Sequence, residues 1–430
     1  MLRILYGTAG TGKSAAIMDE IRRGADSGER YILLVPEQYS HEAERELCAV
    51  CGDGLSLYAE VLSFTGLARE ISSECGGAAN EYLDKGGRLL CMALAADGLY
   101  SRLRVYGAAR RKAELQTMLL GAVDEFKSAC VTSERLMQAS EACEGALGDK
   151  LHDLGLILEA YDGVVANGRA DPSDRLSVLA QQIGQCSMSE RTHVFVDGFT
   201  DFTAQERRVL EALLSKGVCL TVCLGCDELH GGSEVFALSR ITASALLKFA
   251  ADNGIKAQTE RFGGESTKAK PLGEFAENMF SYRAVEAGDA QGRIKIISAA
   301  DTNAECEFAA AEAVSLVRDT GCRWRDIAVC AKGFDDYRLP LESAFSRFGA
   351  PIYTARKADM LSKPLPMLIE SAYEIILGGW EADDVFDYLR TGFGGLDTDE
   401  CDELENYVFM WQLHGSAWTR AENWRLHPEG

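Results

Sequence analysis

The sequence predicts an α/β protein: a P-loop nucleotide fold interrupted by a long helical insertion. Three observations predict it. Met1-Leu2-Arg3-Ile4-Leu5-Tyr6 is a short apolar run of the kind buried in parallel sheets, and GTAGTGKS, Gly7 to Ser14, follows it directly. A second apolar strand, Thr192-His193-Val194-Phe195-Val196-Asp197, ends in a carboxylate and leads into a helix. Between them, residues from about 68 to 183 read mostly as helix, as in Arg88 to Leu94 and Asp153 to Tyr161.

Bulk properties bound what these elements can serve. A chain of 430 residues is long for one domain and suggests two to four. With 47% hydrophobic and 26% charged residues it has the composition of a soluble globular protein. No apolar run approaches the ~20 residues that cross a bilayer. The N-terminus reads as strand and glycine loop, not as an export signal. The 14 cysteines are scattered through helices and strands, which suits the reduced thiols of a cytoplasm. The net charge of −22 argues against coating nucleic acid through a broad basic surface, though a narrow basic channel in an acidic body is compatible with it.

Gly7, Thr8, Ala9, Gly10, Thr11, Gly12, Lys13 and Ser14 fit G-x-x-x-x-G-K-[ST] between a strand and a helix whose inner face carries Ile17 and Ile21. Gly7 and Gly12 are expected to supply backbone angles that a side chain would block, so that successive N–H groups converge on phosphate oxygens. The helix N-terminus adds partial positive charge. Lys13 would reach the β- and γ-phosphates of ATP and Ser14 would ligate Mg²⁺. The alternative is a loop that keeps its shape after losing its ligand.

Mg²⁺ needs a carboxylate at the end of a neighbouring strand, and Asp197 is the best candidate. Thr203-Ala204-Gln205-Glu206 is a capping box, with Val209, Leu210, Leu213 and Leu214 as the apolar stripe of its helix. Gly217 ends that helix and Val218 to Leu224 makes another buried strand. Lys13 and Asp197 stand 184 positions apart, which an inserted helical domain explains. Gly198 occupies the place where hydrolytic motors usually hold the Glu that activates water, so hydrolysis is expected to be slow or absent.

These residues carry a family resemblance. GTAGTGKS, Leu33-Leu34-Val35-Pro36-Glu37-Gln38, Val61-Leu62-Ser63-Phe64-Thr65-Gly66-Leu67-Ala68, Lys150-Leu151-His152-Asp153-Leu154 and Val196 to Glu206 stand in the order of the AddB/RexB family. So do Asp326-Ile327-Ala328-Val329, Leu361-Ser362-Lys363-Pro364-Leu365 and Leu404-Glu405-Asn406-Tyr407. The chain resembles the N-terminal part of that family, the B subunits of bacterial ATP-dependent helicase/deoxyribonucleases. The P-loop is generic; the VDGFTDFT and LENY stretches are much more specific.

The resemblance implies RecA-like, superfamily 1 helicase-like motor domains with helical insertions. Residues 1–67 and 190–285 would form the first motor domain, split by a helical insertion at 68–189. Residues 286–360 would begin the second motor domain, and 361–430 the start of its own insertion. Arg293 to Ser298 and Asp326 to Cys330 read as strands of that second domain, with a helix over Asn303 to Arg318 between them. Family members are much longer and end in a nuclease domain, which often carries an iron–sulfur cluster; the cluster is expected there and not in these residues. Lys332 stands where working helicases usually carry an arginine, and would either reach a γ-phosphate or be a solvated surface lysine. The segment Val61 to Ala68 resembles the motif that borders single-stranded DNA, with Ser63 and Thr65 as phosphate contacts and Phe64 as a core or stacking residue. Gln38 would lie near the same groove. The glutamine-bearing segment with which related helicases read adenine is expected to have no room before Met1, which leaves adenine selectivity open. The implied partner is an AddA-like helicase–nuclease, forming a heterodimer that acts on DNA ends for recombinational repair and is linked to recognition of the Chi sequence.

Other patterns have plainer readings. Cys219, Cys223 and Cys226 have iron–sulfur spacing but lie along an apolar strand, where buried packing is the expectation. Cys48 and Cys51 form a single C-x-x-C read as packing at a helix end. The basic run Arg102 to Lys112 would either face DNA phosphates or form a solvated helix face. Two other functions compete with DNA handling: a P-loop phosphotransferase, and an interaction scaffold with a vestigial nucleotide site.

Overall fold

The computed structural model describes residues 1–430 except 53, 77–80, 111, 167, 264–269, 280–291, 355–359 and 426–430. The boundary expected at 285/286 lies outside the described residues. The chain divides into two compact units, Met1–Lys295 and Ile296–Gly430.

The first unit is built on a six-stranded, all-parallel sheet: β1 (Leu2–Gly7), β2 (Arg30–Leu34), β3 (Ala59–Leu62), β4 (Thr192–Val196), β5 (Cys219–Gly225) and β6 (Ala257–Arg261). Its order is β3-β2-β4-β5-β1-β6. Strand residues alternate between two cores, as the period of two requires. Leu2, Ile4, Ile32, Leu34, Val194, Val196, Leu220, Val222 and Leu224 face one; Leu5, Tyr31, Leu33, Phe195 and Cys223 face the other. Helices α1 (Lys13–Arg23) and α2 (Ser40–Cys51) cover the second face through Ile17, Ile21 and Leu47. The first is covered by α3 (Phe64–Glu74), which opens straight after β3, and by helices that follow later in the chain. The β6 strand, Ala-Gln-Thr-Glu-Arg, is exposed along its length, and its charged side chains suit a sheet edge.

A separate helical core follows α3. It comprises α4 (Lys85–Gly98), α5 (Ala113–Ser128), α6 (Ser133–Ala142) and α7 (Ala146–Val165), packed around Met92, Leu120, Val123, Leu156 and Tyr161. Helix α8 (Arg175–Gln182) returns to the sheet core through Leu179, joined by α9 (Ala204–Ser215) and α10 (Ala237–Asp252). An ionic cluster stands at this return, with Arg88, Lys127 and Asp171 buried and Asp162 and Asp174 at its exposed rim. Arg88 Nε lies 3.0 Å from Asp171, and Lys127 Nζ reaches Asp162, Asp171 and Asp174 at 2.9, 3.1 and 2.7 Å. Burial alone would lower the Lys127 pKa, but the carboxylates outweigh it and hold the pKa above the usual lysine value. Gln205 Nε2 on α9 donates to Ser173 O at 2.9 Å, tying this turn to the sheet domain. A short helix α11 (Lys270–Asn278) follows β6.

The second unit contains α12 (Thr302–Thr320), α13 (Phe334–Arg347), α14 (Pro364–Gly378), α15 (Ala382–Leu389) and α16 (Thr398–Met410). The expected helix after Asn303 is α12, and the turn to helices from about Leu361 is α14 to α16. The two strands expected at Arg293–Ser298 and Asp326–Cys330 are absent: residues 294–299 and 327–331 have no regular structure. A strand exists through its ladder, and among the described residues these segments join no sheet. Ile296 is consequently 97% exposed. Pattern alone identifies apolar runs, but not partners for them.

Candidate functional site

The parallel sheet delivers the C-terminal ends of all its strands to one edge, where open α/β sheets place ligands. Gly7 closes β1, Asp197 follows β4, Gln38 lies just beyond β2, and Ser63 to Thr65 follow β3. The sequence reading expects β4 to neighbour the P-loop strand. Instead β5 lies between them, which sets β4 about 10 Å from β1 at ordinary strand spacing.

At the first of these ends the turn is glycine-dependent. Gly10 and Gly12 have φ of +84° and +88°, the left-handed region that side chains avoid. Gly7 has no positive φ, so its need is different from the one expected. A Cβ there would stand 2.3 Å from the Phe262 carbonyl oxygen, where the chain leaves β6. Lys13 opens α1 and folds its side chain back over the loop. Its Nζ donates to Gly7 O at 2.8 Å and to Thr8 O at 2.9 Å, while Thr11 Oγ1 also donates to Thr8 O at 2.9 Å. Ser14 is exposed on the first turn.

Asp197 extends the β4 ladder by donating its N–H to Leu34 O at 3.0 Å, and its Oδ1 accepts from Gly198 N at 2.9 Å. Register sets Val196 opposite Val222, so Asp197 comes level with Cys223, itself opposite Leu5. The Cys223 thiol is 3% exposed. Burial drives its pKa well above the usual thiol range, and the Asp197 carboxylate pushes the same way. Burial pulls the Lys13 pKa down, opposed by Cys223 and Asp197. Lys13 and Asp197 are therefore electrostatic neighbours across β5. Cys226, just past β5, donates its N–H to Gly7 O at 3.1 Å.

The other expected residues lie further along the edge. Gln38 and Tyr39 are exposed in a short turn after β2. Ser63 caps α3, its Oγ accepting from Gly66 N at 3.1 Å, and Thr65 is half-buried. Phe64 is 6% exposed and packs edge-on against Phe199 and Phe202, so of its two expected roles the structure shows the core one. Lys332 belongs to the second unit, where it is exposed beside a cleft of about 310 Å³ lined by Glu305, Cys330 and Tyr337.

The basic run does not form the helix face expected. Its described part is a loop with a short 3-10 turn, Gly107–Ala109. Asp153, fully buried, accepts the backbone N–H groups of Arg104, Val105 and Tyr106 at 2.9, 2.7 and 3.1 Å. Arg104 pairs with Asp149, and Arg110 pairs with Asp97 while lying over the Tyr100 ring. In the sequence, His152 and Asp153 stand out only through the family resemblance. An acidic residue at a buried helical position is the signal that it holds something.

Among the described residues no helix is long and apolar enough to cross a membrane, and no three His, Cys, Asp or Glu side chains are grouped to hold a metal.

A family model described as ADDB, N-terminal, matches residues 4–275. The chain is similar to the B subunit of the ATP-dependent helicase/deoxyribonuclease of Acetivibrio thermocellus, 31% identical over 444 positions that cover 100% of this chain and 38% of the relative. Proteins of the same name in Desulforudis audaxviator and Heliobacterium modesticaldum are each 34% identical over 98% of this chain, covering 38% and 36% of their own length. The chain thus spans little more than a third of the curated relatives it matches. With residues 4–275 matched by the family model and each relative aligned over nearly the whole chain, the chain belongs to the AddB N-terminal family.

Proposed function

We propose that these residues are the nucleotide- and DNA-handling region of the B subunit of a bacterial ATP-dependent helicase/deoxyribonuclease. It would work in the cytoplasm with an AddA-like helicase–nuclease as its partner, on DNA double-strand ends that enter recombinational repair. The reading takes the sheet as a RecA-like, superfamily 1 helicase-like motor domain (1–67 and 190–285) split by the helical insertion at 68–189. Residues 286–360 then begin a second motor domain and 361–430 its insertion. An iron–sulfur cluster, if the full-length protein holds one, belongs to a nuclease domain beyond these residues.

One observation carries the reading: a glycine turn with positive φ at Gly10 and Gly12 presents Lys13 at the N-terminus of α1, with the single strand β5 between β1 and the strand that leads to the Asp197 carboxylate. Such a turn gathers backbone N–H groups around an anion, and the helix dipole favours its charge. On binding ATP, Lys13 exchanges its carbonyl contacts at Gly7 and Thr8 for phosphate oxygens. Ser14 and Asp197 fit Mg²⁺, which typically takes one or two protein oxygens and completes its shell with phosphates and water. The ion would neutralise phosphate charge. Gly198 has no side chain to orient a water, which favours weak or absent hydrolysis. Gln38, Ser63 and Thr65 line the proposed DNA-strand groove, with Phe64 beneath it.

The test is calorimetric titration of Mg-ATP into the full-length protein and into Lys13→Ala. Binding by the parent, weakened at least about tenfold in the variant, is the expected result. Absence of binding in both would favour an interaction scaffold with a vestigial site. Phosphorylation of a small acceptor without DNA would favour a phosphotransferase.

A further inference from the structure

The segment that follows Asp197 is joined to the loops on either side of it. Gly198, at φ +82°, lies against Pro36 of the β2 loop; a Cβ there would come 3.2 Å from Pro36 Cδ. Phe199 and Phe202 both present their faces or edges to Phe64, with ring centroids at 5.5 and 6.2 Å and interplanar angles of 72° and 79°. They also touch each other, at 5.2 Å. Phe64 is the first residue of α3, immediately after the Ser63 cap. Since β2 lies between β3 and β4, the sheet ladder does not connect these two loops directly. The aromatic contact reaches over the intervening strand.

The segment is held within and beyond the two rings. Ser239 Oγ donates to Thr200 O at 3.1 Å between them, Thr203 and Glu206 form a capping box beyond them, and Gln205 is held by Ser173 and Ser177. With the backbone held at Thr200 and beyond Phe202, a pull at Asp197 falls on the short stretch that carries Phe199, whose ring meets both Phe64 and Phe202. Phe199 and Phe202 are half-buried, and their contacts with the buried Phe64 are the route by which such a displacement reaches α3.

We propose that Phe199 and Phe202 are positioning residues that couple occupancy of the phosphate and metal site to the affinity of the Ser63–Thr65 loop for a DNA strand. The proposal rests on the function given above. Coupling of this kind is reciprocal, so it is measurable from either ligand.

The experiment uses the full-length protein and a labelled thymidine oligomer, with Kd read by fluorescence anisotropy with and without a non-hydrolysable Mg-ATP analogue. In the parent the analogue is expected to change the oligomer Kd by about fivefold or more. In Phe199→Leu and Phe202→Leu the ratio should fall towards one, while each ligand's Kd measured alone stays within about twofold of the parent. Phe199→Tyr, which keeps the ring, should retain the parental ratio. If either leucine variant unfolds, Phe199→Met supplies the comparison, with the unfolding midpoint as the check. A parental ratio retained in folded aliphatic variants overturns the proposal, as does a ratio of one in a parent that binds both ligands. A parent that binds neither ligand overturns the underlying functional reading, and the coupling with it.

Discussion

Gly198 excludes more than the carboxylate that a glutamate would bring. Its left-handed backbone and the approach of Pro36 make the position costly for any side chain. Gly198→Glu is expected to lower stability by about 1–2 kcal/mol, the usual penalty for an L-residue in that conformation. Denaturant unfolding reads that loss. Turnover of ATP by the variant should stay at the parental level, because the new carboxylate would sit on a displaced backbone. A glutamate tolerated without cost and accompanied by faster hydrolysis would show the site to be one substitution from activity. The sequence makes the absence of the side chain visible, but not the reason that it cannot simply be restored. Gly7 teaches the same lesson: its motif position is legible, whereas the Phe262 carbonyl that forbids a Cβ belongs to a distant part of the chain, just past β6.

Elements are legible where their signal is local. The strand–loop–helix around Gly7 to Ser14, the Asp197 strand, and the Thr203–Glu206 capping box all stand where short-range pattern places them. What escapes is pairing: β5 between β4 and β1, the charged edge strand β6, and the unladdered segments at 294–299 and 327–331. Asp153 shows the same limit inside the helical core. It sits on α7, as its apolar neighbours imply, but its partners are three backbone N–H groups of a loop some 48 residues earlier. Burial would raise its pKa, yet these donors outweigh burial and leave it below the ordinary carboxylate value. A depressed folded pKa means that Asp153 stabilises the fold above its unfolded value of about 3.8 and that the contribution disappears as pH falls through the folded value. Asp153→Asn, which keeps the shape and loses the charge, should cost about 1–3 kcal/mol at neutral pH. Its unfolding free energy should also fall less steeply than the parent's on acidification below about pH 4. An identical acid profile in both would show that the nest does not depend on the charge.

At the scale of the whole molecule, a net charge of −22 must be reconciled with a proposed DNA strand. The residues proposed to meet the strand, Gln38, Ser63 and Thr65, are uncharged. Of the basic run, Arg104 and Arg110 are already paired with carboxylates. Counterion release requires a cation placed against each phosphate, and the slope of log K against log salt is about −0.7 per contact for a single strand. A groove made of hydroxyls, an amide and helix N–H groups would therefore release few ions. Its binding of an oligomer should show a slope of about −1 to −2, shallower than the steep dependence of basic DNA-coating proteins. Anisotropy titrations across a salt series, with no other protein present, measure this directly. A slope steeper than about −4 would require roughly six or more cationic contacts and would move the strand away from the sheet edge to a basic surface elsewhere. A shallow slope, with binding lost in Ser63→Ala combined with Thr65→Val, would keep it at that edge. The acidic body then acts as a repulsive surround, confining the strand to the groove where hydrogen bonds replace charge.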